Sequence, residues 1–277
     1  VITALDIGGT KLAAARVQEG RVLEAARIPT PSDRSPEALI RVVLELLEPL
    51  LGGSKALGVA ATGTVRAGKV TAPNPETLPW TEVDLAGRLC AATALPTFVL
   101  NDADAAAWGE ACFGAGRGVA SFLFVTVSTG IGSGLVLEGR LHQGSELGFT
   151  RLEDGGFLEH AASGAALDRW AVEHGLAGAA EVVARSETDP GAAAALDRSA
   201  RLLAAKLLDL ERVLNLERVI VGGGLGLAPA YLERLRGFTG PGLAVVRAAL
   251  GAEAGLIGAA AWAECGLEAQ LARTHLG

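Results

Sequence analysis

One local spelling occurs twice in this chain and limits what it can fold into. The apolar run Val1 to Leu5 ends in Asp6, turns through Gly8-Gly9-Thr10, and continues as Leu12 to Val17 before a second turn at Gln18-Glu19-Gly20-Arg21. Later, Ser121 to Val127 leads into Ser128-Thr129-Gly130-Ile131-Gly132-Ser133-Gly134, then Leu135 to Leu137, then Glu138-Gly139-Arg140. At an offset of 119 residues, Thr10 meets Thr129 and Glu19-Gly20-Arg21 meets Glu138-Gly139-Arg140. Short apolar runs bounded by Gly-rich turns read as strands, so each copy is strand, glycine turn, strand. A length of 277 residues also exceeds the ~100–200 of one domain. The expectation is an α/β protein of two lobes, 1–115 and 116–251, whose glycine turns face each other across a cleft, with a closing helix at about 252–277 packing back onto the first lobe.

The rest of the pattern fits α/β. Val22 to Ile28 reads as a third antiparallel strand. Ser35-Pro36 opens a helix, since Ser caps free N–H groups and Pro suits the first helical position; Leu39, Val43, Leu46 and Leu50 give it one apolar face, and Pro49 with Gly52-Gly53 ends it. Leu57 to Ala61 and Thr97 to Leu100 read as buried parallel strands, and a helix runs from Asn101-Asp102 to about Phe113. Leu196, Leu203, Leu207, Leu210 and Leu214 stripe a long helix, Val219 to Val221 reads as a strand, and Gly222-Gly223-Gly224 as a bend.

Composition removes several classes of function. A net charge of −7 argues against nucleic acid as a partner, because phosphate-backbone affinity comes from clustered Lys and Arg. Cys90, Cys112 and Cys265 are too few and too widely spaced for a disulfide framework or a zinc site, and read as small buried hydrophobes. Together with an opening that runs into a strand without a basic leader, they predict a cytoplasmic protein. The uncharged stretch Gly118 to Leu137 has a polar, glycine-rich centre, which excludes a membrane span.

The residue types present suit phosphoryl transfer, which needs oriented N–H donors and a metal around the phosphates and a carboxylate beside the attacking hydroxyl. Gly8-Gly9-Thr10 brings backbone amides and a hydroxyl to a phosphate, and Asp6 beside it can hold Mg²⁺ directly or through water. An ordinary Gly-rich hairpin would be spelled the same way. Thr129, Gly130 and Gly132 form a second such turn, and Gly222 and Gly223 can let a nucleotide lie against the backbone or serve as a plain strand-to-helix turn. Asp102 is the candidate base, accepting the proton of a hydroxyl from the carboxyl end of a parallel strand; Asn101-Asp102 is also a natural helix cap.

Asp6-Ile7-Gly8-Gly9-Thr10-Lys11, Asn101-Asp102-Ala103 with Ala105-Ala106-Ala107, Thr129-Gly130-Ile131-Gly132 and Val221-Gly222-Gly223 resemble, in order and across nearly the whole chain, the ROK family of repressors, uncharacterised frames and kinases. The resemblance implies the two-domain actin-like, ribonuclease H-like ATPase fold, ATP with Mg²⁺ between the domains, Asp102 as catalytic base, Lys11 with the phosphate turn, and a homodimer. Sugar contacts carried over residue by residue fall on Thr62, Gly63, Asn101, Asp102, Glu146 and Glu159. The wording is most similar to the N-acetylmannosamine kinases, in Ala61-Thr62-Gly63-Thr64-Val65, Asn74-Pro75 and Gly223-Gly224-Leu225-Gly226-Leu227-Ala228, which implies phosphorylation of an N-acylmannosamine at its 6-hydroxyl. A glucokinase-type enzyme and a non-catalytic sugar-binding regulator are the alternatives.

The chain departs from the family in one place. Family kinases commonly carry a CxCGxxGC zinc motif between the two sugar-contacting glutamates and a His three residues after the first. Here Phe149 stands at that His position and the segment from Gly144 to Ser163 has no cysteine, so zinc is expected to be absent. His160 beside Glu159 either takes the missing role or is a solvated helix-start histidine.

Overall fold

The computed structural model describes residues 1–72 and 78–274, the side chains of 273 and 274 excepted. The Asn74-Pro75 spelling lies outside the described residues. The chain divides into two compact units, Val1–Phe113 with Ala252–Gly277, and Gly114–Gly251.

Unit 1 is built on strands β1 (Ile2–Ile7), β2 (Lys11–Gln18), β3 (Arg21–Pro29), β4 (Leu57–Ala61) and, after a small separate sheet of β5 (Thr64–Arg66), β6 (Lys69–Thr71) and β7 (Val83–Asp84), β8 (Thr97–Asn101). The order across the main sheet is β3-β2-β1-β4-β8. β1, β2 and β3 form an antiparallel meander, whereas β1, β4 and β8 run parallel. Its helices are α1 (Pro36–Leu47), α2 (Leu85–Thr93), α3 (Asp102–Phe113) and, from the end of the chain, a helix at Ala254–Thr274. Leu39, Val43, Leu46 and Leu50 are all buried, and the hydroxyl of Ser35 accepts from the N–H of Ala38 as a cap should.

Unit 2 repeats the plan. Strands β9 (Phe122–Val127), β10 (Ile131–Leu137), β11 (Arg140–His142), β12 (Arg218–Gly222) and β13 (Val245–Arg247) lie in the order β11-β10-β9-β12-β13, antiparallel on one side and parallel on the other. Its helices are α4 (Leu158–Ala162), α5 (Gly164–Glu173), α6 (Ala179–Arg185), α7 (Pro190–Leu214) and α8 (Pro229–Thr239), so the terminal helix of unit 1 is α9. The core of unit 2 is sealed by Leu196, Leu203 and Leu207 of α7, with Leu210 and Leu214 partly buried beside it.

The repeat reaches the level of single dihedrals. Glu19 and Glu138 both have φ +50°, and Gly20 and Gly139 have +74° and +71°. Each pair closes a two-residue hairpin, Gln18 opposite Arg21 and Leu137 opposite Arg140. Positive φ at both central positions is the hairpin geometry that matches strand twist.

Two expectations need correction. The stretch Ser128 to Gly134 is not all loop: β10 begins at Ile131, and Gly132, Ser133 and Gly134 pair with Thr126, Val125 and Phe124. Glycine weakens a strand, but an unbroken ladder to a central strand outweighs that preference. The cysteines are not uniformly buried either. Cys90 and Cys265 are exposed and Cys112 is half-buried, because they fall on outward faces of α2, α9 and α3.

Candidate active site

In unit 1 the candidate residues gather at the carboxyl ends of the parallel strands. Asp6 pairs across β1 with Ala60, and Asn101, the last residue of β8, pairs with Ala61. Between these strands, the N–H of Thr62 donates to the carbonyl of Ile7 at 3.0 Å. The hydroxyl of Thr62 donates to Oδ2 of Asp102 at 3.1 Å, and the amide Nδ2 of Asn101 donates to the carbonyl of Gly63 at 2.9 Å. Thr62, Gly63, Asn101 and Asp102 are therefore one hydrogen-bonded group.

Asn101 and Asp102 divide two tasks that either could perform. Oδ1 of Asn101 accepts from the N–H of Ala103 at 2.9 Å and of Asp104 at 3.2 Å, so Asn101 caps α3. Asp102 shares the Ala103 amide through Oδ1 at 2.8 Å, while its Oδ2 meets Thr62. Both oxygens of the Asp102 carboxylate are thus held, Oδ1 by the helix start and Oδ2 by Thr62, which fixes its orientation. Burial pushes its pKa up, opposed by the hydrogen bonds from Thr62, Ala103 and Asn101. A more basic carboxylate is a better proton acceptor, provided it is ionised.

Asp6 is the second carboxylate of this group. Burial first, and the charge of Asp102 second, raise its pKa to about 7, with Lys11 pulling the other way. A recessed carboxylate raised by burial and by the charge of its neighbour is what a bound dication would relieve, so Asp6 beside Asp102 fits a divalent metal held by few carboxylates. The start of α9 also faces Asp6: a Cβ on Gly255 would lie 3.5 Å from its Oδ2. A helix N-terminus favours an anion there. Gly255 was missed in the sequence, where a glycine early in a distant helix carries no signal of the strand end it will meet. Among the described residues no three of His, Cys, Asp and Glu gather as a metal cage.

The turn beside Asp6 is held by its own ends and by Thr30. The N–H of Gly8 donates to the carbonyl of Lys11 at 3.1 Å, and the hydroxyl of Thr30 to the carbonyl of Gly8 at 2.7 Å. Gly8 and Gly9 are half-buried, while Thr10 and Lys11 are exposed.

In unit 2 a second group forms around Ser128-Thr129-Gly130. The N–H groups opening α5 donate into it, Gly164 to Ser128 at 2.7 Å and Ala165 to Thr129 at 3.1 Å. Glu159 reaches it from α4: its Oε2 accepts from the N–H of Ile131 at 2.8 Å. Gly223, at φ +81°, lies so close that a Cβ would collide with the carbonyl of Val127. Gly132 sits inside β10, and Gly222 closes β12. Glu146 is exposed, one residue before the 3-10 turn Leu147–Phe149. His160 is exposed on α4, its ring against Phe157 at 5.5 Å.

Comparison with known proteins spans nearly the whole chain. The model of the ROK family matches residues 2–265. The N-acetylmannosamine kinase of Citrobacter koseri is 36% identical, the match covering 94% of this chain and 98% of that one. Among solved structures, a ROK family glucokinase from Streptomyces griseus in complex with glucose and AMPPNP has a TM-score of 0.82 at 29% identity, covering 95% of this chain and 99% of the other. A ROK hexokinase from Thermus thermophilus has a TM-score of 0.79 at 33% identity, with coverages of 96% and 99%.

Proposed function

The chain belongs to the ROK family and has its two-domain actin-like ATPase fold, and from that premise we propose that it is an ATP-dependent sugar kinase acting on an N-acylmannosamine at the 6-hydroxyl. The observation that carries this reading is the start of α3, where Asn101 caps the Ala103 and Asp104 amides and the Asp102 carboxylate, sharing the Ala103 amide through Oδ1, is oriented by the Thr62 hydroxyl through Oδ2. A base held this way needs no rearrangement before it accepts a proton.

Each cluster has a part. Asp102 accepts the proton of the sugar hydroxyl, and Asn101, Thr62 and Gly63 fix its neighbourhood. Asp6 holds Mg²⁺, directly or through water, and a bound metal supplies neutralisation of charge on the phosphates. Gly8, Gly9, Thr10 and Lys11 present amides, a hydroxyl and an ammonium to phosphate oxygens, and Thr129, Gly130 and Gly132 with Gly222 and Gly223 line the nucleotide from unit 2. Glu146 and Glu159 contact the sugar. No zinc is part of the proposal, and a homodimer in the cytoplasm is.

Two comparisons bear on the substrate. The relative at 36% identity is named for N-acetylmannosamine, and the solved neighbours at 29% and 33% identity are named as glucokinase and hexokinase. A coupled ADP-release assay over hexoses and N-acetylhexosamines decides between them. The expected result is the highest kcat/KM with N-acetylmannosamine. A clear preference for glucose would move the assignment to a hexokinase, and silence with every sugar would overturn the kinase reading in favour of a sugar-binding regulator.

A further inference from the structure

The segment that links β11 to α4 is irregular, with one short turn and a single bridge between Arg151 and Phe157. It folds back on itself through the N–H of Leu152 to Gly156 at 2.8 Å and of Leu158 to Thr150 at 3.0 Å. That doubling brings three rings and a cation together. Phe157 sits at the centre, with Phe149 edge-on at 5.7 Å and 84°, and His160 edge-on at 5.5 Å and 82°. The guanidinium of Arg151 lies 4.1 Å above the Phe157 ring. Edge-to-face rings and a cation over a ring face are the arrangements that the aromatic quadrupole favours. Phe149 is 38% exposed, too open for its placement to be explained by core filling.

Two residues beyond the central ring stands Glu159. Its carboxylate accepts the Ile131 N–H directly after the Ser128-Thr129-Gly130 turn. Its Cβ also packs against the 3-10 turn that carries Phe149, since a Cβ on Gly148 would lie 3.4 Å from it. A helix of five residues, as α4 is, cannot hold its own direction, because helix nucleation is unfavourable at that length. Its far end is tied by the Ser199 hydroxyl to the carbonyl of Ala162 at 2.6 Å, and its near end begins at Phe157.

We propose that the aromatic clasp of Phe149, Phe157 and His160 under Arg151 is a positioning device: it fixes the near end of α4 so that Glu159 stays bonded to the amide after the glycine turn of unit 2. None of the clasp residues is a catalytic residue; they act through Glu159. As far as catalysis is concerned, the proposal rests on the sugar-kinase reading above. Its structural part does not.

The test reads the Ile131 amide by hydrogen exchange, which is independent of activity. Glu159→Ala defines the exchange rate with the bond gone. Phe149→Ala, at an exposed ring that should leave thermal unfolding unchanged, is expected to speed Ile131 exchange about tenfold without altering the rest of β9 and β12, and Phe149→Tyr to restore protection. In the double variant with Glu159→Ala no further increase is expected, because two changes acting through one bond are not additive. In the kinetic arm, Phe149→Ala should raise the KM for sugar about tenfold while the KM for ATP stays within twofold. Unchanged Ile131 exchange in Phe149→Ala, or additive effects in the double variant, would overturn the clasp. Wild-type protein silent on all sugars would sink the kinase reading, and the exchange measurement would still decide the clasp.

Discussion

In unit 1 four residues, Gly8 to Lys11, separate the paired positions Ile7 and Leu12; in unit 2 only three, Ser128 to Gly130, separate Val127 from Ile131. The sheets that carry these turns have the same strand order, and the hairpins that follow have the same dihedrals. What differs is the surroundings. The first turn is held by Thr30, whose N–H donates to the carbonyl of Thr10 and whose hydroxyl donates to that of Gly8, and it has Asp6 at its foot, raised by the charge of Asp102. The second is braced by α5, by Glu159 and by Gly223, and Thr126 occupies the place equivalent to Asp6. One scaffold carries two different ends: a pair of carboxylates stands beside the turn of unit 1, while in unit 2 the turn is bonded by the start of α5 and by the single carboxylate of Glu159.

The largest expected effect tests where the chemistry resides. Asp102→Asn keeps the side-chain shape and loses the base, so kcat should fall by a factor of about 10³, within the range for general-base loss, with ATP binding unchanged by calorimetry. Full activity in this variant would remove Asp102 from the mechanism. Next comes a pH effect confined to unit 1. The Asp6 carboxyl titrates near 7 in the folded chain against 3.8 ordinarily. Between those values the folded state keeps a proton that the unfolded state has lost, so this group's contribution is complete below pH 4 and is lost as pH rises through 7. In chelator, urea unfolding should show stability falling by on the order of 3 kcal/mol from pH 4 to pH 8. Asp6→Asn should flatten that slope, and Mg²⁺ should restore stability at pH 8 in wild type only. A slope unchanged by Asp6→Asn would mean that the titrating group lies elsewhere.

Much of this division was legible in the sequence, and the reasons are local. Glu19-Gly20 and Glu138-Gly139 announce themselves because hairpins of two residues demand unusual dihedrals. Asp6 and Asp102 stand out because each closes an apolar run, although at Asp102 the spelling of a helix cap is the same. The start of β10 at Ile131 was hidden, since Gly132 and Gly134 speak against a strand and only pairing to β9 decides it. The approach of Gly255 to Asp6 and of Glu159 to Ile131 was hidden as well, because each depends on chain segments brought together by tertiary packing. The exposed Cys90 and Cys265 show the same limit from the other side: burial of a small residue is set by which helix face it falls on.

The bracing of the second turn gives the next smaller effect. Gly223→Ala places a side chain at φ +81° and against the carbonyl of Val127, which should cost about 2 kcal/mol or more and lower Tm by roughly 4–8 °C at this chain length. A change in the first turn, Thr10→Ala, removes an exposed hydroxyl and should leave Tm within about 1 °C while weakening ATP binding. Differential scanning calorimetry on the two variants tests whether the left-handed glycine against Val127 carries stability that the exposed Thr10 hydroxyl does not; equal losses in Tm would erase the distinction.

The smallest effect isolates one ring. Gly20 and Gly139 occupy the same turn position with nearly equal φ, so replacing either by Ala carries the same left-handed strain, about 1 kcal/mol. Their neighbours differ: a Cβ on Gly139 meets nothing within 4 Å, whereas one on Gly20 runs into the ring of Phe113 at the end of α3. Gly20→Ala should therefore cost about 1 kcal/mol more than Gly139→Ala in urea unfolding, as expected when a packed ring has to shift. In a Phe113→Ala background that excess should vanish, since the ring supplies the nearest atoms that a Cβ on Gly20 meets. If the excess persisted there, the two turns would differ in backbone strain after all, and the correspondence of their dihedrals would not extend to energy.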